Sequence, residues 1–227
     1  MRIQVHVPRP TAIGAVRLEG VRPDVPVPEL EARLQRLLDR LQSEPLPEEL
    51  EARRQAVRTL LRNGRYKPTG RAKPASEYLL REAQQGRFPR INTLVDAANY
   101  VSLAYMLPIS LWDVDRAGSE EYRFRLGRPG ERYVFNTSGQ VLELEDLLIG
   151  CALRDEGERP IISPVKDALE TKTSGQTRRV GVAVYAPPEA CSIVEALLQE
   201  LVELLERTGP EVRLRAFLWQ ESRGEEG

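Results

Sequence analysis

Apolar residues recur along this chain with two periods, and each period marks a different kind of element. Near the start, Ile3, Val5 and Val7 alternate with Gln4 and His6, the signature of a half-buried strand, and Ala15 to Glu19 is expected to pair with it. The proline-rich stretch Pro23 to Pro28 reads as a connector. From Glu29 to Gln42 the period lengthens, with Leu30, Leu34, Leu37, Leu38 and Leu41 on one helical face. After Pro45 and Pro47 a second helix runs to about Arg62 and stops at Asn63-Gly64, and the two helices are expected to form a surface hairpin. Ser76 to Gln85 predicts a third helix, capped by Ser76 and ended by Gly86.

The segment from Ile91 to Gly118 is unlike these. Its first half is helical and apolar around most of its circumference, with Leu94, Ala97, Ala98, Val101, Ala104 and Tyr105 on one arc, yet it carries Asp96, Asn99 and Ser102. Asn99 falls on the other side, flanked by Val95 and Leu103. A helix apolar on both sides is expected to be buried, and a buried amide must find partners or line a polar pocket. Pro108 ends the helix, and a short apolar stretch delivers Asp113 and Asp115 just before Gly118.

Further along, Glu121 to Leu126 and Arg132 to Phe135 alternate like paired strands, with Gly127 to Gly130 as their hairpin turn. Val180 to Tyr185 is a buried strand. Pro187 to Arg207 is a long amphipathic helix through Ile193, Leu197, Leu201 and Leu204, stopped by Thr208-Gly209-Pro210, and Val212 to Leu218 alternates as a last strand. The pattern predicts an α+β fold: residues 1–65 as N-terminal strands and a helical extension packed on a main domain, residues 66–220 as that domain, and residues 221–227 as a disordered tail.

Composition narrows the class. A chain of 227 residues with 41 % hydrophobic and 30 % charged residues fits a soluble globular protein, and no run approaches the roughly 18 to 20 apolar residues of a membrane span. MRIQVHVPRP reads as a strand and not as a signal peptide. Cys151 and Cys191 have neither disulfide-framework nor metal-like spacing, so a reducing cytoplasm is the expected compartment and no metal or cofactor is implied. The charge is uneven. Between Arg53 and Arg90 eleven basic residues are opposed only by Glu77 and Glu82, in a chain whose formal net charge is −1. Arg54, Arg58, Arg62 and Arg65 recur at helical spacing, with Lys67 close behind, which fits either a solvated helix face or a phosphate-contacting surface.

Missing equipment excludes several chemistries. His6, the single histidine, lies on the first strand and reads as an ordinary strand residue, so a Ser-His-Asp triad or a histidine-ligated zinc has no basis. There is no Gly-x-Ser-x-Gly elbow, Walker loop or Gly-x-Gly-x-x-Gly turn after a strand.

Phe88 to Asp115, FPRINTLVDAANYVSLAYMLPISLWDVD, and Ser163 to Thr177, SPVKDALETKTSGQT, together resemble the B3/B4 domain. That module forms the editing region of the bacterial phenylalanyl-tRNA synthetase β subunit and also occurs as free-standing proteins. The resembling region runs from about Tyr66 to Tyr185, with Phe88 where the family has leucine. Free-standing relatives carry a tryptophan-rich stretch before the second motif. Here Cys151 to Asp167 holds no aromatic residue, so the amino-acid pocket is expected to differ in size or polarity. The resemblance implies a B3/B4-like mixed sheet with packed helices. It also implies hydrolysis in trans of the ester that joins a wrong amino acid to tRNA. That ester is already reactive, so positioned water and a polarised carbonyl suffice, with help from the neighbouring ribose hydroxyl.

Candidate residues follow from both motifs. Asn99 is placed to hydrogen-bond the substrate or to pin a loop, and Asp113 to hold an ammonium group, orient water or stabilise a turn. Lys172 is the best electrophile for an ester oxygen or terminal phosphate, and Thr173 orients water. Asp96, Ser102, Thr171 and Thr177 are substrate-binding candidates, as is Asp167, which is expected to position Lys172. Asn99 and Lys172 are expected to face a common cavity. Three classes stay open: a deacylase of mischarged tRNA, a tRNA-binding module without hydrolysis, and a binder of a small amino-acid-like ligand.

Overall fold

The two N-terminal strands, expected to pair with each other, go to different sheets in the computed structural model, which describes residues 1–222, with side chains through residue 216. β1 (Arg2–His6) runs parallel to Glu121–Leu126, whereas β2 (Thr11–Glu19) is paired on both sides, by Arg179–Ala186 and by Arg213–Ser222. Pro8 and Pro10 between them remove the amide donors a tight hairpin needs. β2 is also buried along nearly its whole length, which favours a central position.

The chain continues through α1 (Pro28–Ser43), α2 (Glu48–Leu60), α3 (Ala75–Gln84), α4 (Thr93–Tyr105), β3 (Ile109–Asp113), α5 (Val114–Ala117) and β4 (Glu121–Leu126). The second half adds β5 (Arg132–Val134), β6 (Val141–Glu143), β7 (Leu148–Arg154), β8 (Gly157–Ile162), β9 (Arg179–Ala186), α6 (Cys191–Glu206) and β10 (Arg213–Ser222). One sheet has the order β1-β4-β7-β8, a second β10-β2-β9-β3, and β5 and β6 form a separate ribbon. The fold is therefore α+β, as the pattern predicts.

Several local expectations are revised. β4 does not pair with the strand that follows it; it lies between β1 and β7, and β5 pairs with β6. The glycine turn is a crossing point instead: a Cβ on Gly127 would lie 1.9 Å from the Leu144 carbonyl oxygen, so the backbones meet where no side chain fits. α1 packs on α3 and α4, while α2 lies against the turn Pro188–Ala190, so the helical hairpin is not the main packing unit. α3 starts after Pro74 without a side-chain cap, and Ser76 is buried within its first turn. Residues 1–19 belong to both sheets, so the N-terminal region is part of the fold's framework. Glu221 and Ser222 end β10, and the rest of the expected tail lies outside the described residues. No helix among the described residues is long and apolar enough to cross a membrane.

α6 packs on β2 and β9 and lies tight over Gly14, whose Cβ would lie 2.3 Å from Val194 Cγ1. The two sheets share one core. Trp112 of β3 donates from Nε1 to the Tyr122 hydroxyl at 3.0 Å, and Phe124 meets Tyr185 edge-on at 6.0 Å. Trp112 lies across Gly181, where a Cβ would come within 2.3 Å of the indole. Gly181→Ala is expected to lower stability by about 1–3 kcal/mol through overpacking, read from urea denaturation. A second cluster, including Tyr133, Leu147, Ile149 and Val165, packs beneath the β5–β6 ribbon.

Candidate functional site

The first motif builds α4 from its cap downward. Asn92 Oδ1 accepts from the Leu94 and Val95 amides, both at 3.1 Å, and fixes the helix start. Buried Asp96 accepts from the Ile91 amide at 2.8 Å and from Arg90 Nε at 2.9 Å, and Arg90 also pairs with Glu31. Buried Ser102 donates to the Leu107 carbonyl at 2.7 Å and secures the reversal at Met106, which takes a left-handed φ of 51°. Asn99 differs from the expected buried amide. It is half-buried, it shares the helix stripe of Asp96, and no described residue hydrogen-bonds its side chain.

The reversal delivers β3, and β3 meets the second motif. Buried Asp113 accepts from the Arg116 amide at 3.1 Å, capping α5, and from the Thr177 hydroxyl at 2.6 Å. Ser110 donates to Asp167 at 2.7 Å, and its oxygen lies 2.9 Å from the Tyr185 hydroxyl. Asn92 Nδ2 donates to Thr173 Oγ1 at 3.5 Å, and Arg116 Nη1 donates to the Lys172 carbonyl at 2.9 Å. Thr171 is buried and donates to the Ala168 carbonyl at 3.4 Å. Thus two segments about sixty residues apart in the chain form one hydrogen-bonded unit, in which the Lys172–Thr173 turn is pinned on both flanks. The Lys172 side chain is exposed.

Two cavities adjoin this turn. One, of about 510 Å³, is walled by Asp24, Glu31, Arg90, Asn92 and Asp96, with Gly175 from the second motif. The other, of about 520 Å³, has Arg116, Arg132, Tyr133, Val134, Arg159 and Glu170 among its walls. Neither has Asn99 or Lys172 in its lining. The motifs therefore share the first cavity through Asn92, Asp96 and Gly175.

Burial pushes the Asp167 carboxyl up to about 6 from its ordinary 3.8, against hydrogen bonds from Ser110 and the Ser163 and Leu111 amides and the attraction of Lys172. The native state therefore holds this proton more tightly than the unfolded chain. The resulting stabilisation is complete below about pH 4 and is lost as pH rises through about 6. Asp167→Asn is expected to flatten that part of the stability profile, measured by urea denaturation from about pH 4 to 7.

A model of the B3/4 domain matches residues 64–192, close to the span expected from the motifs. The chain belongs to the B3/4 domain family. It is 31 % identical over 119 residues to a phenylalanine–tRNA ligase β subunit of Gloeobacter violaceus, an alignment covering 51 % of this chain and 14 % of that one. It is 33 % identical over 108 residues to the corresponding subunit of Anaeromyxobacter dehalogenans, covering 47 % and 13 %. The match thus spans about one-seventh of these relatives' length. A crystal structure of an N-terminal fragment of the Pyrococcus horikoshii phenylalanyl-tRNA synthetase β subunit superposes on 98 % of this chain and 55 % of its own, with a TM-score of 0.47 and 12 % identity.

The arginines that precede and open the matched span are partly spent on the chain's own fold. Arg58 Nη2 donates to Glu77 at 2.6 Å, and Arg54 pairs with Glu51 at 2.6 Å and Glu77 at 3.8 Å. Arg65 reaches Glu145 at 3.8 Å, whereas Arg62 and Lys67 are exposed and hold no carboxylate among the described residues. Residue patterns also passed over Ser110, Tyr185, Asn92 and Arg90. Asn92 carried a usable signal, an N-cap residue before an apolar periodic run, while Ser110 sits inside an apolar stretch that advertises only a strand.

Proposed function

We propose that this B3/4 domain removes a wrongly attached amino acid from tRNA by water attack on the aminoacyl ester. The supporting observation is the cavity walled by both motifs, where Asp24, Glu31 and Asp96 outnumber Arg90. Such a site suits the ammonium group of an aminoacyl ester and disfavours a phosphate. Relatives named as phenylalanine–tRNA ligase β subunits make a tRNA ester the natural substrate class.

In this reading the Lys172 ammonium meets the ester carbonyl as negative charge develops on its oxygen. Asn99 and the Thr173 hydroxyl orient the attacking water. The neighbouring ribose hydroxyl assists proton transfer, the carbonyl–oxygen bond to the ribose breaks, and the free amino acid leaves. Asp113, Thr171 and Thr177 act as positioning residues, because each is buried and already hydrogen-bonded. Asp96 shapes the ammonium site together with Arg90, Ser102 holds the reversal after α4, and Asp167 steadies the turn that bears Lys172. Contact with RNA falls to Arg62, Arg65 and Lys67, just past the end of α2, more than to the carboxylate-paired Arg54 and Arg58 of α2 itself.

A binding-only reading draws on one observation, that Asp96 and Asp113 of the first motif are buried and already hydrogen-bonded. Deacylation of a panel of mischarged tRNAs separates the two. Release of at least one amino acid at a rate above the uncatalysed rate supports hydrolysis, and salt-sensitive binding with every ester left intact supports a module without it.

A further inference from the structure

Lysine is scarce in this chain. Lys67, Lys73, Lys166 and Lys172 stand against a large excess of arginine, and all but Lys166 are exposed. Lys166 is half-buried, lies outside every role above, and pairs with no carboxylate among the described residues. Its ammonium nitrogen lies instead 3.9 Å from the centre of the Phe135 ring, just past β5. The backbone beneath it is fixed. The Lys166 carbonyl accepts from the Tyr133 hydroxyl at 2.5 Å and from Ser163 Oγ at 2.9 Å, and its amide donates to the same Ser163 oxygen at 3.2 Å. The next residue, Asp167, turns its carboxyl inward to Ser110 and to the Ser163 and Leu111 amides, so it is no counter-ion for the lysine.

The charged neighbours of this side chain share its sign. Burial, followed by the charges of Lys172 and of Arg71, which is exposed on the single turn Gly70–Ala72, pushes the Lys166 amine down from the ordinary lysine range. A ring face attracts an ammonium group less than a carboxylate does, so the neutral amine is reached more easily here than on a lysine in open solvent. The neutral amine is a nucleophile and the ammonium is not. The same two cations that disfavour the ammonium also attract an anion to its side.

We propose that Lys166 is a modification site that takes an acyl group from a mixed anhydride of a carboxylic acid and a phosphate. The amine nitrogen attacks the carbonyl carbon, the bond from that carbon to the phosphate oxygen breaks, and the phosphate leaves with the electron pair. The nitrogen gives up one proton to solvent. Arg71 and Lys172 attract the phosphate of the donor and stabilise the charge it gains as it departs. The product is a neutral amide beside the Phe135 ring, and the repulsion among Lys166, Arg71 and Lys172 is relieved. Neither tRNA nor ester hydrolysis enters this step.

Acetyl phosphate is the probe. The full chain is exposed to it for short times at about pH 8, and acetylation of each lysine is followed by peptide mass spectrometry. Accessibility alone favours the exposed Lys67, Lys73 and Lys172. The proposal expects the reverse order, with Lys166 reacting about threefold or more faster than each of them. Added inorganic phosphate should slow Lys166 selectively, because it competes for the same cations. Arg71→Ala should lower the Lys166 rate by about threefold or more, since it removes both a phosphate contact and a charge that disfavours the ammonium. Arg71 is exposed, and unchanged thermal unfolding of the variant verifies its fold. Lys166 reacting no faster than the exposed lysines would overturn the proposal. So would phosphate that slows all four lysines alike, or a Lys166 rate undiminished in Arg71→Ala.

Discussion

Lys172→Ala is expected to slow single-turnover deacylation by about 10²- to 10³-fold, the loss typical of removing one preorganised donor from a developing oxyanion. The backbone at Lys172 is anchored independently of its side chain, by Arg116 on its carbonyl and by the Asn92–Thr173 contact next to it. The substitution should therefore remove an ammonium group and leave the turn in place. Affinity for uncharged tRNA should fall much less, because one exposed cation among several contributes little to polyanion binding. Lys172→Arg should restore only part of the rate, since a planar guanidinium does not place its donors where a compact ammonium does. Asn99→Ala should cost less than Lys172→Ala, and its test is the same single-turnover rate. Equal effects of Lys172→Ala on affinity and rate would mark this residue as a binding contact alone.

Trp112→Ala should give the largest loss of stability, about 3–5 kcal/mol, in a protein whose total is expected to be of order 5–15 kcal/mol. Trp112 is fully buried, its ring centroid lies 5.0 Å from that of Tyr122, and its plane lies over Gly181 of β9. Removing it opens a cavity at the junction of the two sheets and takes a donor from the Tyr122 hydroxyl. Neighbouring residues cannot fill that space from strands whose register is fixed by pairing on β9. Asp113 is the next residue, so the same substitution should loosen the Asp113–Thr177 contact and the turn behind it. Urea denaturation measures the loss, and a change below about 1 kcal/mol would show that the sheets do not depend on this contact.

The elements that the sequence discloses and those it hides differ for physical reasons. α1 and α6 are legible because one long apolar period sets each of them, and α4 because it is apolar around most of its circumference up to Pro108. The pairing of β1 and β2 was not, since both alternate plausibly and only the burial of β2 between β9 and β10 separates them. β5 resembles a hairpin partner of β4, yet Gly127 serves a backbone crossing that no local pattern encodes. The two motif segments lie far apart in the sequence, and the structure joins them through Asp113–Thr177 and Ser110–Asp167. Asn92, Asp96 and Gly175 share one cavity, and Asn99 and Lys172 line neither of the two cavities beside the turn. Periodicity placed Asn99 on a buried helix but could not tell that its side chain lies at the edge of the buried surface. The ion pairs of Arg54 and Arg58 were likewise invisible, because Glu77 lies nineteen positions from Arg58 and meets it only in the folded chain.

The most direct measurement is the release of amino acid from a panel of mischarged tRNAs by the purified full chain, run beside Lys172→Ala. The account predicts accelerated release from at least one member of the panel and near-complete loss of that acceleration in the variant. Rates equal to the uncatalysed rate across the whole panel would contradict it, and so would acceleration that survives Lys172→Ala undiminished.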